Sequence, residues 1–261
     1  MRRYVWLLLG LGALVAVTAV GIAAAAGGDG PVTVRVGGLE LTTDVGFRPK
    51  TGSKTKQTPL AIDMSGEVRE ADGSHPPAAR ELVIEADKNG QIHTKGIPVC
   101  RSGRLQATDS AAALRACKAA LIGKGNVVAQ VAFAEQKPID VKSKLLLFNG
   151  GERGGKTVWY AHAYLSNPVS AAIVTTVTIT KVHRGRFGTE SLVKIPQIAG
   201  GSGSGISYEL EIFKFVKVGD KRLNPISGRC ADGKVRFHLA AKFEDGTKAQ
   251  TEVIRACTGT R

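Results

Sequence analysis

Residues 235–255 have the sequence VRFHLAAKFEDGTKAQTEVIR, in which two segments that alternate apolar and polar residues flank a tight turn. Alternation with a period of two is typical of a β-strand with one buried face, and Asp245-Gly246 is a common hairpin turn. The stretch therefore predicts an antiparallel hairpin. Its strands are residues 235–243 and 248–255.

The same pattern recurs through most of the chain. Only 5% of residues are aromatic, while 32 glycines and many Val, Ile, Leu and Ala suit short strands joined by tight turns. No internal repeat indicates a propeller or a solenoid. We predict a mainly β fold, an antiparallel β-sandwich, with further strands at residues 32–36, 60–68, 81–86, 126–134, 141–148, 157–165, 172–181, 190–195 and 207–218.

One segment departs from this pattern. Residues 109–122 are rich in Ala, and Leu114, Cys117 and Leu121 recur at helical spacing. Thr108 is a candidate N-cap and Gly123 a stop signal. We expect one short helix here, linked to the chain before it by a disulfide.

Four cysteines, an even number, favour disulfides over a metal site, since the sequence has no C-x-x-C and no His at ligand spacing. Three pairings are possible. Chain order favours Cys100 with Cys117 and Cys230 with Cys257, and the 235–255 hairpin brings Cys257 close to Cys230.

The N-terminal residues indicate the compartment to which the protein is targeted. Arg2-Arg3 precede residues 4–26, which carry no charge and end in a run of four alanines. This arrangement predicts a signal peptide at residues 1–26 and a single β-rich domain at 27–261, secreted or extracytoplasmic. The apolar stretch is also long enough to span a bilayer, so a retained anchor at residues 4–26 is the alternative.

The chain is basic, with a formal net charge of +14 that becomes +12 without Arg2 and Arg3. We expect anionic partners, either envelope polymers or lipid headgroups, rather than nucleic acid. Membrane contact is expected only through an uncleaved N-terminal segment. Residues 48–59 are predicted to form a basic exposed loop, and residues 199–205 a Gly/Ser loop.

No motif in the sequence predicts a catalytic or ligand-binding site once its neighbouring residues are considered. Gly150 to Thr157 match the phosphate-loop pattern G-x-x-x-x-G-K-[ST], but the following residues predict a strand instead of the required helix, so we interpret the match as a hairpin loop. Neither Ser202 nor Ser204 has a glycine both two positions before it and two positions after it, as a nucleophile elbow requires. Glu209 and Glu211 fall on the solvent face of a strand, and Trp159, Tyr160 and Tyr164 are interpreted as core.

The five histidines share no ligand spacing. We therefore predict no catalytic residue, no metal ligand and no cofactor.

Residues 87–100, the helix containing Cys117, and the segments Gly123-Lys124-Gly125 and Leu147 to Gly150 resemble a group of uncharacterised exported bacterial β-rich proteins. The resemblance covers roughly residues 60–260. It implies an exported single domain and transfers no site residues.

Three functions remain open at this point. The first is a non-enzymatic binding or structural module of the cell envelope, stabilised by disulfides. The second is a carrier of an apolar ligand, which requires an internal cavity. The third is an extracellular hydrolase whose site leaves no short motif.

Overall fold

The structure is a computed structural model that describes residues 20–22, 28–167 and 170–260. One α-helix, α1, spans Ser110–Cys117, and short 3₁₀ turns cover Ser102–Arg104, Lys118–Ala120 and Ala199–Gly201. The strands are β1 Val20–Ile22, β2 Val32–Val36, β3 Leu39–Arg48, β4 Thr51–Ser53, β5 Thr58–Pro59, β6 Ala61–Glu70, β7 Ala79–Asp87, β8 Gly90–Ile92, β9 Leu121–Phe133, β10 Gln136–Arg153, β11 Lys156–Leu165, β12 Ala171–Arg184, β13 Phe187–Lys194, β14 Gly203–Ile212, β15 Val216–Val218, β16 Lys221–Leu223, β17 Ile226–Gly228, β18 Lys234–Phe243, β19 Lys248–Ala256 and β20 Thr258–Thr260.

Thirteen strands form one sheet in the order β1-β19-β18-β7-β13-β12-β11-β10-β9-β14-β6-β3-β2. All neighbours are antiparallel except β1 and β19. The sheet curls until β2 lies against β19, where Val34 and Val36 pack on Ala249. The predicted mainly β, antiparallel fold with one disulfide-linked helix is confirmed. The two layers expected of a sandwich are opposite walls of this single, nearly closed sheet.

Because the strands alternate in direction, every connection lies at one of two ends. The cap end carries three long connections, residues 49–60, 88–120 and 213–233, and two tight turns, residues 154–155 and 185–186. There β5, β17 and β8 form a small sheet, and β4 pairs with β20. The turn end carries the mostly shorter connections, which are residues 37–38, 71–78, 134–135, 166–170, 195–202 and 244–247.

The packed core is concentrated at the cap end. Its buried side chains come from strands all around the sheet and include Phe47, Leu147, Trp159, Ile212 and Phe237. A second cluster lies outside the sheet, where α1 covers the outer faces of β10 and β11. The space between the cap-end core and the turn end is lined by side chains but not filled by them.

Both predicted disulfides, Cys100–Cys117 and Cys230–Cys257, are present. The first ties α1 to the segment before it, and the second ties the end of β19 to the cap end. Disulfides persist in oxidising compartments, so the pair suggests an extracytoplasmic environment. Within the described residues, no helix is long and apolar enough to cross a membrane. The predicted signal or anchor lies outside the described residues apart from 20–22.

Several predicted boundaries need correction. The helix stops at Cys117, not 122, because a 3₁₀ turn follows and β9 begins at Leu121. Its N-cap is Asp109, whose carboxylate accepts from the Ala112 N–H at 2.7 Å, and not Thr108. The basic loop at 48–59 includes the end of β3 and the strands β4 and β5.

The Gly/Ser loop at 199–205 is also shorter than predicted, because β14 already begins at Gly203. Gly203 has an isolated bridge to Ile198 and pairs with Val131. A side chain there would come within 2.6 Å of Ile198, so glycine permits this close approach.

Candidate apolar binding site

The sheet encloses a cavity of about 400 Å³. Alternate residues of the long strands line it, such as Leu82, Ile84 and Ala86 on β7 and Ser191 and Val193 on β13. These side chains point inward but are only half-buried, because open space faces them instead of other side chains. The volume lies within the range of ligand pockets, about 300–1,000 Å³.

The number of strands and the size of the inward side chains explain the cavity. About eight strands already give an interior that side chains can just fill, and the width grows with strand number. Here eleven strands of eight or more residues surround the interior, together with the shorter β1 and β2. Many inward positions carry small residues, which cannot fill the extra width: Gly66, Ala86, Ala129, Ala161, Ala163, Thr175, Ser191, Ala241 and Ala249.

The cavity is long for its volume. On β7 alone, its lining extends from Ala79 to Asp87, which is roughly 25 Å of extended strand. At the cap end the lining includes Lys50 and Arg229, and at the turn end it includes Phe243 and Ile198. Such a shape suits an elongated, flexible molecule more than a broad ring system.

Tyr208 supplies a phenol group on a mostly apolar wall. Its cross-strand neighbour is Gly66, and a side chain at that position would come within 2.5 Å of the Tyr208 ring. The ring therefore lies across the backbone of β6, and its hydroxyl group lies near Thr43. Burial raises the pKa of Tyr208 to about 12, so the phenol stays neutral and can donate a hydrogen bond.

The phosphate-loop match is a hairpin, as predicted. β10 continues to Arg153, β11 starts at Lys156, and Gly154 and Gly155 form the turn with φ of 56° and 73°. Positive φ at both central residues is typical of a type I′ turn. No helix follows the match, so the backbone N–H groups do not form a phosphate cradle.

The fold brings Ser204 and His75 together, a contact that the sequence reasoning missed. Ser204 Oγ lies 3.2 Å from His75 Nε2, and His75 Nδ1 lies 2.8 Å from Gln130 Oε1. Gln130 in turn donates to Asp140 at 2.9 Å. No spacing rule could have revealed the contact, since the two residues are 129 positions apart.

This arrangement is not built for nucleophilic catalysis. The Ser204 hydroxyl donates to the Pro76 carbonyl at 2.7 Å, and only 1% of Ser204 is exposed. In a Ser-His-Asp triad a carboxylate contacts the histidine and stabilises the charged imidazole. Here the side-chain amide of Gln130 occupies that position. The residues instead hold the 71–78 connection against the outer wall of β9 and β14.

His162 lies beneath α1 and is fully buried. Its Nε2 donates to the Thr108 carbonyl at 3.0 Å, while Nδ1 has no partner among the described residues. Burial lowers the pKa of His162 more than its hydrogen bonds raise it. The side chain faces the helix and not the cavity, so its role is to support the helix.

The remaining candidates occupy structural positions. Trp159 and Tyr160 are core residues, on opposite faces of β11, as predicted. Glu209 is exposed and Glu211 pairs with Arg48 at 2.8 Å on the outer surface. Within the described part of the chain, no three His, Cys, Asp or Glu side chains could hold a metal ion together.

Comparison of the chain with family models, with curated proteins and with solved structures finds no match. Its function therefore has to be inferred from the geometry of the chain itself.

Proposed function

We propose that this protein is an extracytoplasmic, non-enzymatic carrier that encloses one elongated apolar molecule, such as an acyl chain, inside its sheet. The cavity of about 400 Å³ is the observation that carries the proposal. Its walls are mostly apolar, and its hydroxyl groups are dispersed. Secretion through the N-terminal segment belongs to the same proposal, supported by the two disulfides.

The energetics of the cavity favour an occupant. An empty apolar cavity costs about 24 cal/mol for each Å³ in mutant series. Water gains little in an apolar cavity, since it needs polar partners. An apolar ligand would recover much of this free energy.

The direct test is binding of N-phenyl-1-naphthylamine, an uncharged fluorophore that brightens in apolar surroundings, followed by displacement with palmitate. We expect saturable binding of one fluorophore for each protein. Ser191→Trp should weaken binding at least tenfold, because the indole would occupy the cavity beside Ile84. Leu192→Trp is the matched control, since this neighbouring side chain lies on the outer face of β13.

Equal binding by both tryptophan variants would place the fluorophore on the outer surface and contradict the proposal. The absence of saturable binding by the unaltered protein would contradict it as well. If the fluorophore binds inside the sheet, organic extraction of the protein purified from its own host, followed by mass spectrometry of the extract, would identify the natural ligand.

A further inference from the structure

We infer that the cap end is a docking surface for an anionic lipid bilayer. The inference goes beyond the proposed carrier function and does not depend on it. It starts from the distribution of charge between the two ends of the sheet, which the topology determines and which the total charge of the chain does not reveal.

The connections at the cap end are strongly basic. Together with residues 28–31, which lead into β2 at the same end, they contain four acidic residues, Asp29, Asp109, Asp220 and Asp232, against fifteen basic ones, which are Lys50, Lys54, Lys56, Lys88, Lys95, Arg101, Arg104, Arg115, Lys118, Arg186, Lys214, Lys217, Lys221, Arg222 and Arg229. Arg104, Arg115 and Lys118 belong to the part of residues 88–120 that covers the outer faces of β10 and β11. The connections at the turn end have no Lys or Arg in their sequence and four acidic residues, Asp72, Glu135, Glu244 and Asp245. The connections at the two ends therefore differ in charge, basic at the cap end and acidic at the turn end.

Most of this charge is not neutralised by the protein. Within the described residues, Lys50 is the only one of the fifteen that makes an ion pair, with Asp29 at 3.6 Å. Nearly all of the side chains are exposed. The cap-end connections also lie together: Lys54 N–H donates to Thr260, Lys88 N–H to Arg186, and the Arg229 side chain to Asn89.

An exposed apolar residue within this basic surface favours a bilayer over a hydrophilic polyanion. Val99 is 56% exposed, and its side chain touches Gly151, so it lies at the cap end between Lys95 and Arg101. A valine presented among lysines and arginines can enter the boundary between headgroups and acyl chains, where the apolar side chain leaves water. A polymer of phosphates offers no such environment.

The docking surface shares two residues with the cavity lining. Lys50 and Arg229, two of the basic residues, belong to the cavity lining at this end. A protein docked through the cap end would therefore hold the basic end of its cavity next to the headgroups. This arrangement would suit the transfer of an acyl chain between membrane and cavity.

The test is cosedimentation of the full chain with vesicles of phosphatidylcholine alone or of equal parts phosphatidylcholine and phosphatidylglycerol. We expect binding to the anionic vesicles that weakens as salt rises, because exposed charges are screened. Substitution of four cap-end lysines by glutamine should weaken it at least tenfold: Lys54→Gln, Lys56→Gln, Lys217→Gln and Lys221→Gln. Val99→Ser should weaken it by a smaller factor.

The matched control removes the same number of positive charges, four, from lysines near the turn end: Lys137→Gln, Lys142→Gln, Lys242→Gln and Lys248→Gln. All eight lysines are exposed, and none of them makes an ion pair in the described structure. The control should bind anionic vesicles as the unaltered protein does. Equal losses in both quadruple variants would mean that only total charge matters and would overturn the inference.

Two further outcomes would also overturn it. Equal binding to both kinds of vesicle would assign membrane contact to the apolar N-terminal segment. Binding to inorganic polyphosphate without binding to anionic vesicles would assign the basic surface to an anionic polymer. Fluorophore binding, measured separately on the same variants, distinguishes a failure of docking from a failure of the carrier function.

Discussion

Arg255 closes the seam of the sheet at the level of a single side chain. Only 2% of its side chain is exposed, and its guanidinium pairs with Asp44 of β3. It also donates to the carbonyl groups of Gly28 and Gly30, at 2.6 and 2.8 Å. β19 and β2 share no backbone ladder, so these contacts help to hold the two edges of the sheet together.

We expect Arg255→Met to lower the free energy of unfolding by about 1–3 kcal/mol, because it leaves the carbonyl groups of Gly28 and Gly30 and the partly exposed Asp44 carboxylate without this buried donor. Arg35→Met, which removes an exposed pair with Glu40, should cost at most about 1 kcal/mol. Urea unfolding monitored by tryptophan fluorescence measures both. Equally small losses of unfolding free energy in the two variants would indicate that packing of Val34, Val36 and Ala249 holds the two edges together instead.

Gly125 shows how closely β9 and β14 approach. A side chain at this position would lie 1.8 Å from the carbonyl oxygen of Glu209, a backbone atom that cannot move without the strand. Gly205, on the neighbouring strand, has no atom within 4 Å of the corresponding position.

We expect Gly125→Ala to lower the free energy of unfolding by about 1–3 kcal/mol, because the added methyl group would push β14 away from β9. Gly205→Ala should be neutral or stabilising, by up to about 1 kcal/mol, since alanine restricts the unfolded chain. Thermal unfolding of the two variants tests the difference. If Gly125→Ala unfolds at the same temperature as the unaltered protein, the described contact between the two strands is wrong.

At the scale of elements, α1 acts as an external cover and not as part of the cavity. It packs on Leu146, Phe148, Val158 and Tyr160, the outward side chains of β10 and β11. The Cys100–Cys117 disulfide closes a loop with a sequence separation of 17 and stabilises this cover by about 3 kcal/mol.

The buried His162 beneath α1 makes stability depend on pH. Burial lowers its pKa in the folded state, whereas the unfolded residue takes up a proton near its ordinary pKa of about 6.5. Below that pH the unfolded state binds more protons, so the free energy of unfolding falls as the pH drops toward the folded-state pKa. His93, whose pKa burial also lowers, contributes with the same sign.

Urea unfolding at a series of pH values between neutral and mildly acidic should show this loss of stability. His162→Gln retains a donor for the Thr108 carbonyl and should reduce the pH dependence. His183→Gln, at an exposed position of β12, is the control and should leave the dependence as it is. An unchanged slope in His162→Gln would mean that other groups cause it.

At the scale of the whole molecule, the cavity links binding to stability. A ligand that binds only the folded protein, at a concentration a hundred times its dissociation constant, raises the free energy of unfolding by about 2.7 kcal/mol. Palmitate should therefore shift the urea midpoint of the unaltered protein upward. The shift should be much smaller in Ser191→Trp, and an equal shift in both would contradict binding inside the sheet.

The strands and the helix could be predicted from the sequence because their signals are local. Alternation in Val235 to Phe243 and helical spacing in Leu114 and Cys117 depend only on near neighbours along the chain. Boundaries such as the start of β14 at Gly203 could not be predicted, because they depend on which strands lie alongside. The Ser204–His75 contact was missed for the same reason.

The sequence by itself determined the mainly β class, the position of the helix and both disulfides, since periodicity, turn residues and cysteine order are local properties. It also determined the total charge. Only the tertiary structure decided that the strands curl into one nearly closed sheet with space inside. It alone decided that the basic connections gather at the cap end, because strand direction and register depend on contacts between residues far apart in the chain.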